Sequence, residues 1–201
     1  MAKNLVRPRE EGETPIDDLS GLVIDVKSRK ELNIAESANN SKAHAHYLLF
    51  MKPTSRRNLF THESLFQIHK DMFGEVWSWA GEKRKTEKNL GTPPARIGSE
   101  VDRFLHDLHQ WEKSGMEPLE IAVRTHHRLV QIHPFENGNG RWARLAANIY
   151  LHRKKLPVIQ WPSDEKLIKE VFKPRYLAAL KKADHGNYDE LLALHREYCD
   201  Q

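Results

Sequence analysis

Apolar residues recur at helical spacing along most of this chain, and the places where the rhythm fails are few. Residues 1–21 carry Pro8, Gly12, Pro15 and Gly21 among charges and read as part of an extended arm, taken to end at residue 27. Residues 28–51 predict helix in two pieces, with a polar break at Ser37-Ala38-Asn39-Asn40-Ser41. After a turn at Pro53-Thr54-Ser55, helix is expected over 60–79. Residues 81–98 then hold Gly91, Pro93 and Pro94 with no period of 3.6, and an ordered loop of that length in a compact domain is more often functional than incidental. Helical spacing resumes at Val101, Phe104, Leu105, Leu108 and Trp111, and Ser114-Gly115 stops it. A second stripe of Leu119, Ala122, Val123, His126, Val130 and His133 ends before Pro134. A third helix starts near Asn139 and buries Trp142, Leu145, Ala146 and Ile149. Later helices are expected over 164–182, perturbed by Pro174, and over 187–198, where Asn187 and Glu190 have capping-box spacing. Strand signals are almost confined to 84–97, so the fold class is mainly α. The organisation expected is an arm (1–27), an N-terminal helical segment (28–58) and a main body (59–201).

Composition narrows the class. With 201 residues, 39% of them hydrophobic, the chain is large enough to bury one core without disulfides. Its single cysteine, Cys199, closes no bridge and no C-x-x-C pair occurs, which makes a reducing, cytoplasmic setting the expectation. The longest apolar run, Tyr47-Leu48-Leu49-Phe50-Met51, is too short for a bilayer, and the N-terminus has no apolar signal core. A net charge of +4 is mild, and the densest basic run, Lys83-Arg84-Lys85, is flanked by Glu82 and Glu87. That balance suits anionic ligands and does not gather the basic face of a duplex-binding module, so nucleic acid is not the expected partner.

The chemistry concentrates in His133-Pro134-Phe135-Glu136-Asn137-Gly138-Asn139-Gly140-Arg141-Trp142-Ala143-Arg144, between two expected helices. Gly138 and Gly140 let backbone approach a ligand closely, and the unpaired N–H groups of the following helix favour an anion. Arg141 and Arg144, three apart, share the early turn and can fork onto phosphate oxygens. His133 faces that anion from the end of the preceding helix. A base beside a phosphate cradle points to phosphoryl or nucleotidyl transfer to a hydroxyl. Other histidines do not suggest a metal enzyme. On one helix His126 and His133 lie about 10 Å apart, too far to share a zinc ion, and His126 reads as a core residue. His44, His46, His106 and His109 read as surface residues.

In these residues the chain resembles the Fic family, whose signature H-x-F-x-[D/E]-G-N-G-R-x-x-R is met by His133, Phe135, Gly138, Asn139, Gly140, Arg141 and Arg144. Gly12-Glu13-Thr14-Pro15 resembles the mobile mystery protein B subgroup. The resemblance implies a Fic-type helical bundle with a short β-hairpin flap, transferring AMP from ATP to a Ser, Thr or Tyr hydroxyl of a target protein. It casts His133 as base, Gly138, Asn139 and Gly140 as phosphate nest, and Arg141 with Arg144 as the grip on distal phosphates. The flap would be 84–97, holding the target by strand addition, and the subgroup implies a helix-turn-helix companion protein. One position departs: where the signature has an acidic residue that helps hold Mg²⁺, this chain has Asn137, and its carboxylate, Glu136, sits one residue earlier. An amide oxygen can ligate a hard cation but without the charge.

Family members are often silenced by a helix carrying [S/T]-x-x-x-E-[G/N], whose glutamate pairs with the second motif arginine, here Arg144. Leu32-Asn33-Ile34-Ala35-Glu36-Ser37 places Glu36 suitably, although Leu32 and Ser37 depart from the pattern and Glu31 competes. Two further readings stay open: a catalytically degenerate nucleotide-binding regulator, suggested by Asn137, and a DNA-associated accessory protein.

Overall fold

A computed structural model describes Leu19 and residues 21–162 and 168–199. Most of the arm, including Gly12-Glu13-Thr14-Pro15, and the start of the helix expected from 164 lie outside the described residues. Among the described residues seven α-helices follow in order: α1 (Arg29–Ala45), α2 (His62–Phe73), α3 (Ile97–Lys113), α4 (Pro118–Ile132), α5 (Asn139–Arg153), α6 (Lys173–Ala183) and α7 (Asp189–Cys199). Wider π turns extend α1 at His46–Phe50 and precede α6 at Ile168–Phe172.

The centre of the molecule is α5, which packs most extensively against α4 and also meets α2. It is buried almost all round, with Trp142, Ala143, Leu145, Ala146, Ala147, Asn148, Ile149, Tyr150 and Leu151 out of water. The four apolar positions expected on its buried face are among them. The α4 stripe is rotated from the expected one: Ile121 and Leu129 are buried, whereas Leu119 and Val130 are only partly so. Full burial of side chains such as Trp77, Phe104 and Trp142 contributes about 1.5–3 kcal/mol each.

Three expectations are corrected. The polar break in 28–51 is no break. Asn39 Nδ2 donates to the Asp71 carbonyl (2.9 Å), Asn39 Oδ1 accepts from Glu75 N–H (3.0 Å), and Asn40 Nδ2 reaches the Met72 carbonyl (3.3 Å). The amides serve backbone groups left over at the end of α2, where helical carbonyls lack internal partners. The helix expected over 60–79 stops at Phe73, with Gly74 as cap, and Trp77 and Trp79 stack in the following turns at 5.0 Å. At the last helix, Asn187 Oδ1 accepts from Asp189 N–H (3.0 Å), but Glu190 turns to Lys182 and completes no capping box.

No strand forms among the described residues, so the β-hairpin expected over 84–97 is absent in that form. An isolated antiparallel bridge joins Leu22 to Trp77. The stretch after Gly81 is irregular until a short 3-10 turn at Pro94–Arg96 leads into α3. It bonds instead to the α4–α5 connection: Arg84 N–H donates to the Pro134 carbonyl (2.9 Å) and Thr92 N–H to the Ile132 carbonyl (3.1 Å). No helix among the described residues is long and apolar enough to cross a membrane.

Candidate active site

Six residues, 133–138, connect α4 to α5 and are held from several sides. His133 caps α4 in the left-handed region (φ 53°, ψ 59°), its N–H still bonded to the Leu129 carbonyl at 3.2 Å. Few residues other than glycine adopt that conformation without support. Pro134 then prevents α4 from continuing. Phe135 is fully buried, stacked on the His69 ring at 3.6 Å and edge-on to Trp142 at 4.9 Å. Asn139 closes the loop on itself: its Oδ1 accepts from Phe135 N–H (2.9 Å) and its Nδ2 donates to the Phe135 carbonyl (2.8 Å). The Asn139 side chain is therefore a clip beneath the loop, and what it can offer an anion is its backbone N–H.

Gly138 begins α5 at φ 78°, and a Cβ there would lie 2.5 Å from the Phe73 ring, so no larger residue fits. Lacking a side chain, it leaves the first-turn N–H groups of α5 uncapped. These groups and the positive end of the helix dipole lie at the place where the sequence leads one to expect an anion. His69 braces the loop from α2. Its Nδ1 accepts from Gly81 N–H (3.0 Å), which leaves Nε2–H to donate to the Asn137 carbonyl (3.0 Å).

His133 is almost entirely buried. Burial first, then the positive charges of Arg84 and Lys88, push its pKa down to about 4, against a bond to the Val130 carbonyl that works the other way. It is thus held neutral at physiological pH, the form able to accept a proton.

Asn137 does not fit a protein-held Mg²⁺ site. Its Oδ1 accepts from Gly138 N–H at 2.7 Å, and Glu136 does not take the missing carboxylate's place. Glu136 accepts from Thr86 Oγ1–H (2.8 and 3.0 Å) and pairs with Lys88 (2.8 Å), both on the loop after Gly81. Burial works to raise its pKa, but the bonds from Lys88 and Thr86 outweigh that and hold it low. Mg²⁺ is ordinarily held by one or two carboxylates plus substrate phosphates, and among the described residues no three His, Cys, Asp or Glu side chains gather as a metal site.

The glutamate question resolves differently from expectation. Glu36 is buried; its Oε1 accepts from Trp77 Nε1–H (2.8 Å) and its Oε2 from Arg141 (2.7 Å). Its partner is the first motif arginine, not Arg144, because the Arg141 guanidinium lies over the Phe73 ring (4.6 Å) on the side that α1 covers. Glu31 is no competitor: it is spent at the start of α1, accepting from Lys27 N–H (2.8 Å) while Ser28 Oγ, the N-cap, accepts from Glu31 N–H (3.2 Å).

Arg144 turns the other way, its guanidinium 6.0 Å from the ring centre of Tyr176 in α6 and 5.8 Å from that of Trp161. Behind it runs a buried chain whose directions are fixed from its far end. His195 Nδ1–H donates to the Leu191 carbonyl (2.7 Å), so its Nε2 accepts from His126 Nδ1–H (2.9 Å), and His126 Nε2 accepts from Tyr176 O–H (2.9 Å). His126 is the core residue expected, though a bonded one. His46, His106 and His109 are exposed as expected, whereas His44 is half-buried, and burial first, then the charge of Arg144, lowers its pKa.

Arg84, His69 and Tyr176 were not singled out by their sequence positions. Nothing in the run Lys83-Arg84-Lys85 marks its middle cation; the structure alone shows Lys83 and Lys85 exposed and Arg84 buried.

Comparison with known proteins follows the same region. Residues 59–151 match a family model described as Fic/DOC family. The protein adenylyltransferase Fic of Drosophila grimshawi is 30% identical over 132 residues, 63% of this chain and 26% of that protein. The protein adenylyltransferase fic-1 of Caenorhabditis briggsae is 27% identical over 173 residues, 84% of this chain and 32% of that one. The chain thus spans about a quarter to a third of the length of these curated relatives. Among solved structures, Fic-1 from C. elegans superimposes with a TM-score of 0.67 at 23% identity, over 89% of this chain and 51% of that chain. BepC from Bartonella tribocorum, with bound AMPPNP, gives 0.66 at 19% identity, covering 94% of each. At these identities the structural likeness speaks for the fold.

Proposed function

Starting from a chain whose residues 59–151 match the Fic/DOC family, we propose that it is a protein adenylyltransferase that moves AMP from ATP to a Ser, Thr or Tyr hydroxyl of a target protein. The observation that carries this reading is a buried, neutral histidine at one end of a six-residue loop and an uncapped helix N-terminus with an arginine at the other. His133 takes the proton of the target hydroxyl; that oxygen forms a bond to the α-phosphorus, the bond to the β-phosphate bridging oxygen breaks, and pyrophosphate leaves. The first-turn N–H groups of α5 at Asn139, Gly140 and Arg141 receive phosphate oxygens, and the Arg141 and Arg144 guanidinium groups neutralise the charge that develops on pyrophosphate. Mg²⁺ would arrive with ATP, since the donor set at Asn137 does not hold it. The loop 84–97 is the proposed docking edge for the target segment, with 59–201 as catalytic domain and 28–58 as inhibitory segment through Glu36. The helix-turn-helix companion rests on the mobile mystery protein B resemblance alone.

A second reading, a nucleotide-binding regulator without turnover, draws on the absent carboxylate at 137. Incubating the protein and His133→Ala with α-labelled ATP separates the two. Label transferred by the wild type and lost by at least ~10²-fold in the variant, with ATP still bound, supports the transferase. Binding without label in either protein supports the regulator, and equal labelling by both proteins refutes His133 as base.

A further inference from the structure

Arg84 is 2% exposed, yet it forms no ion pair within 4.0 Å among the described residues; its guanidinium is spent on three backbone carbonyls. Nε–H donates to His133 O at 2.7 Å, one terminal nitrogen to Thr86 O at 2.7 Å, and the other to Thr92 O. Its own N–H takes Pro134 O, and Thr92 N–H takes Ile132 O. Three successive carbonyls, of residues 132, 133 and 134, are thus all bonded by one loop. Ile132 O is among the carbonyls that the end of α4 leaves without helical partners, and those of His133 and Pro134 lie in the connection just beyond it. Gly91 completes the contact at φ 93°, so close that a Cβ there would lie 2.5 Å from His133 Cβ and 3.1 Å from the Arg84 guanidinium.

We propose that Arg84 is a positioning residue for His133: its fork fixes the left-handed turn that aims the imidazole and holds the 84–92 loop against it. The proposal rests on the reading of His133 as the base. A buried cation bonded to neutral carbonyls, with the carboxylates of Glu87 and Glu136 acting on it only through space, is an expensive way to close a loop. A lysine would do it poorly, because a single ammonium on a flexible stem cannot reach three carbonyls set at the angles of a planar fork. What the fork secures is a conformation at one residue that the chain does not favour. Displacing a reacting group by about 1 Å can cost ~10²-fold in rate. ATP contacts lie on the α5 side of the motif, so loosening the turn should leave nucleotide binding in place.

The test uses the full chain and its Arg84→Lys and Arg84→Gln variants, with two independent readouts. The first is kcat and KM for ATP in automodification with labelled ATP. Expected is a kcat loss of ~10²-fold for Arg84→Gln, a smaller loss for Arg84→Lys, and KM for ATP within about twofold. The second needs no activity: the ring ¹H–¹³C signal of His133 and the hydrogen-exchange protection of the Thr92 amide, in protein shown to be folded by the unchanged signals of Trp142. Both should change in Arg84→Gln and change less in Arg84→Lys. If the wild type transfers nothing, the proposed function fails while the second readout still decides on Arg84. If Arg84→Gln does not fold, Arg84→Lys and Gly91→Ala take its place; Gly91→Ala keeps the guanidinium but pushes the loop off His133, and it should lower kcat at constant KM. Wild-type kcat in an active, folded Arg84→Gln protein, or an unmoved His133 signal with full Thr92 protection, overturns the proposal. So does wild-type kcat in both substitute variants.

Discussion

Acid should unfold this protein earlier than its net charge suggests, and the reason is a set of histidines bonded in the neutral form. His69 receives a proton bond on one nitrogen and gives one from the other, and so does His195. Protonating either would set two donors face to face. Burial is the largest cause in each case: it pushes His69 down to about 3, and His133 and His195 to about 4, while His126 is lowered well below its ordinary value of 6.5. Between about pH 6.5 and 4 the unfolded chain therefore binds protons that the folded chain refuses. Stability is fully present above 6.5, falls as pH falls, and levels off once the folded sites protonate. From pH 7 to 5, a group neutral when folded and titrating at 6.5 when unfolded loses about 2 kcal/mol. His69, His133 and His195 together lose about 6 kcal/mol, comparable with the whole stability of an ordinary domain. The slope near pH 5 is about 4 kcal/mol per pH unit, since each of three protons contributes about 1.4. Urea unfolding followed by tryptophan fluorescence at half-unit steps from pH 7.5 to 5 measures it, and His69→Gln should reduce the slope by about 1.4 kcal/mol per unit. A slope below about 1 kcal/mol per unit across pH 6.5 to 5 would show that these rings accept protons in place and refute the reasoning.

Glu36→Gln keeps an acceptor for Trp77 and removes the charge facing Arg141. With the arginine partly exposed, the released interaction is discounted to about 1–2 kcal/mol, so ATP should bind about 5–30-fold tighter by calorimetry, and equal affinity would return Glu36 to a purely structural role. Asn139→Ala leaves the Phe135 N–H and carbonyl unpaired in the core and should cost about 2–4 kcal/mol in urea unfolding; a loss under about 0.5 kcal/mol would mean that the loop holds without the clip. Asn137→Asp should lower the Mg²⁺ concentration for half-maximal labelling and raise the rate, because a hard cation gains more from a carboxylate than from an amide. Loss of labelling in that variant would instead indicate a nucleotide repelled by the added charge.

The helices were readable where the apolar period was strong. Trp142, Leu145, Ala146 and Ile149 mark α5 because a central helix needs them whatever surrounds it. The motif loop was readable from its glycines, proline and asparagines, which constrain backbone locally. What escaped depended on partners distant in sequence. Asn39 and Asn40 look like helix breakers until the end of α2, some thirty residues on, is seen to need their amides. Arg84 looks like one of three solvated cations because its fork is completed only when the chain folds the carbonyls of Thr92 and His133 back onto it, the latter from far along the sequence. Glu36 was found by pattern, but its partner was not, since which of Arg141 and Arg144 faces α1 depends on how α5 is rotated in the bundle. Tyr176 could not be tied to Arg144 by spacing, because α6 reaches the site only through packing.

The amides that dock α1 have a consequence for how activity would be set. With Leu32 fully buried, Tyr47 O–H bonded to the Asp71 carboxylate at 2.5 Å, and Asn39 and Asn40 stitched to the end of α2, α1 is no detachable arm. Glu36 cannot leave by taking its helix along without dismantling part of the core. Under the proposed reading it is a resident competitor, an anion tethered beside Arg141 at a constant effective concentration. Nucleotide phosphate must displace it by mass action while the carboxylate merely swings aside. Such a device has no latched and unlatched states: it works as a rheostat, its output graded by the supply of ATP.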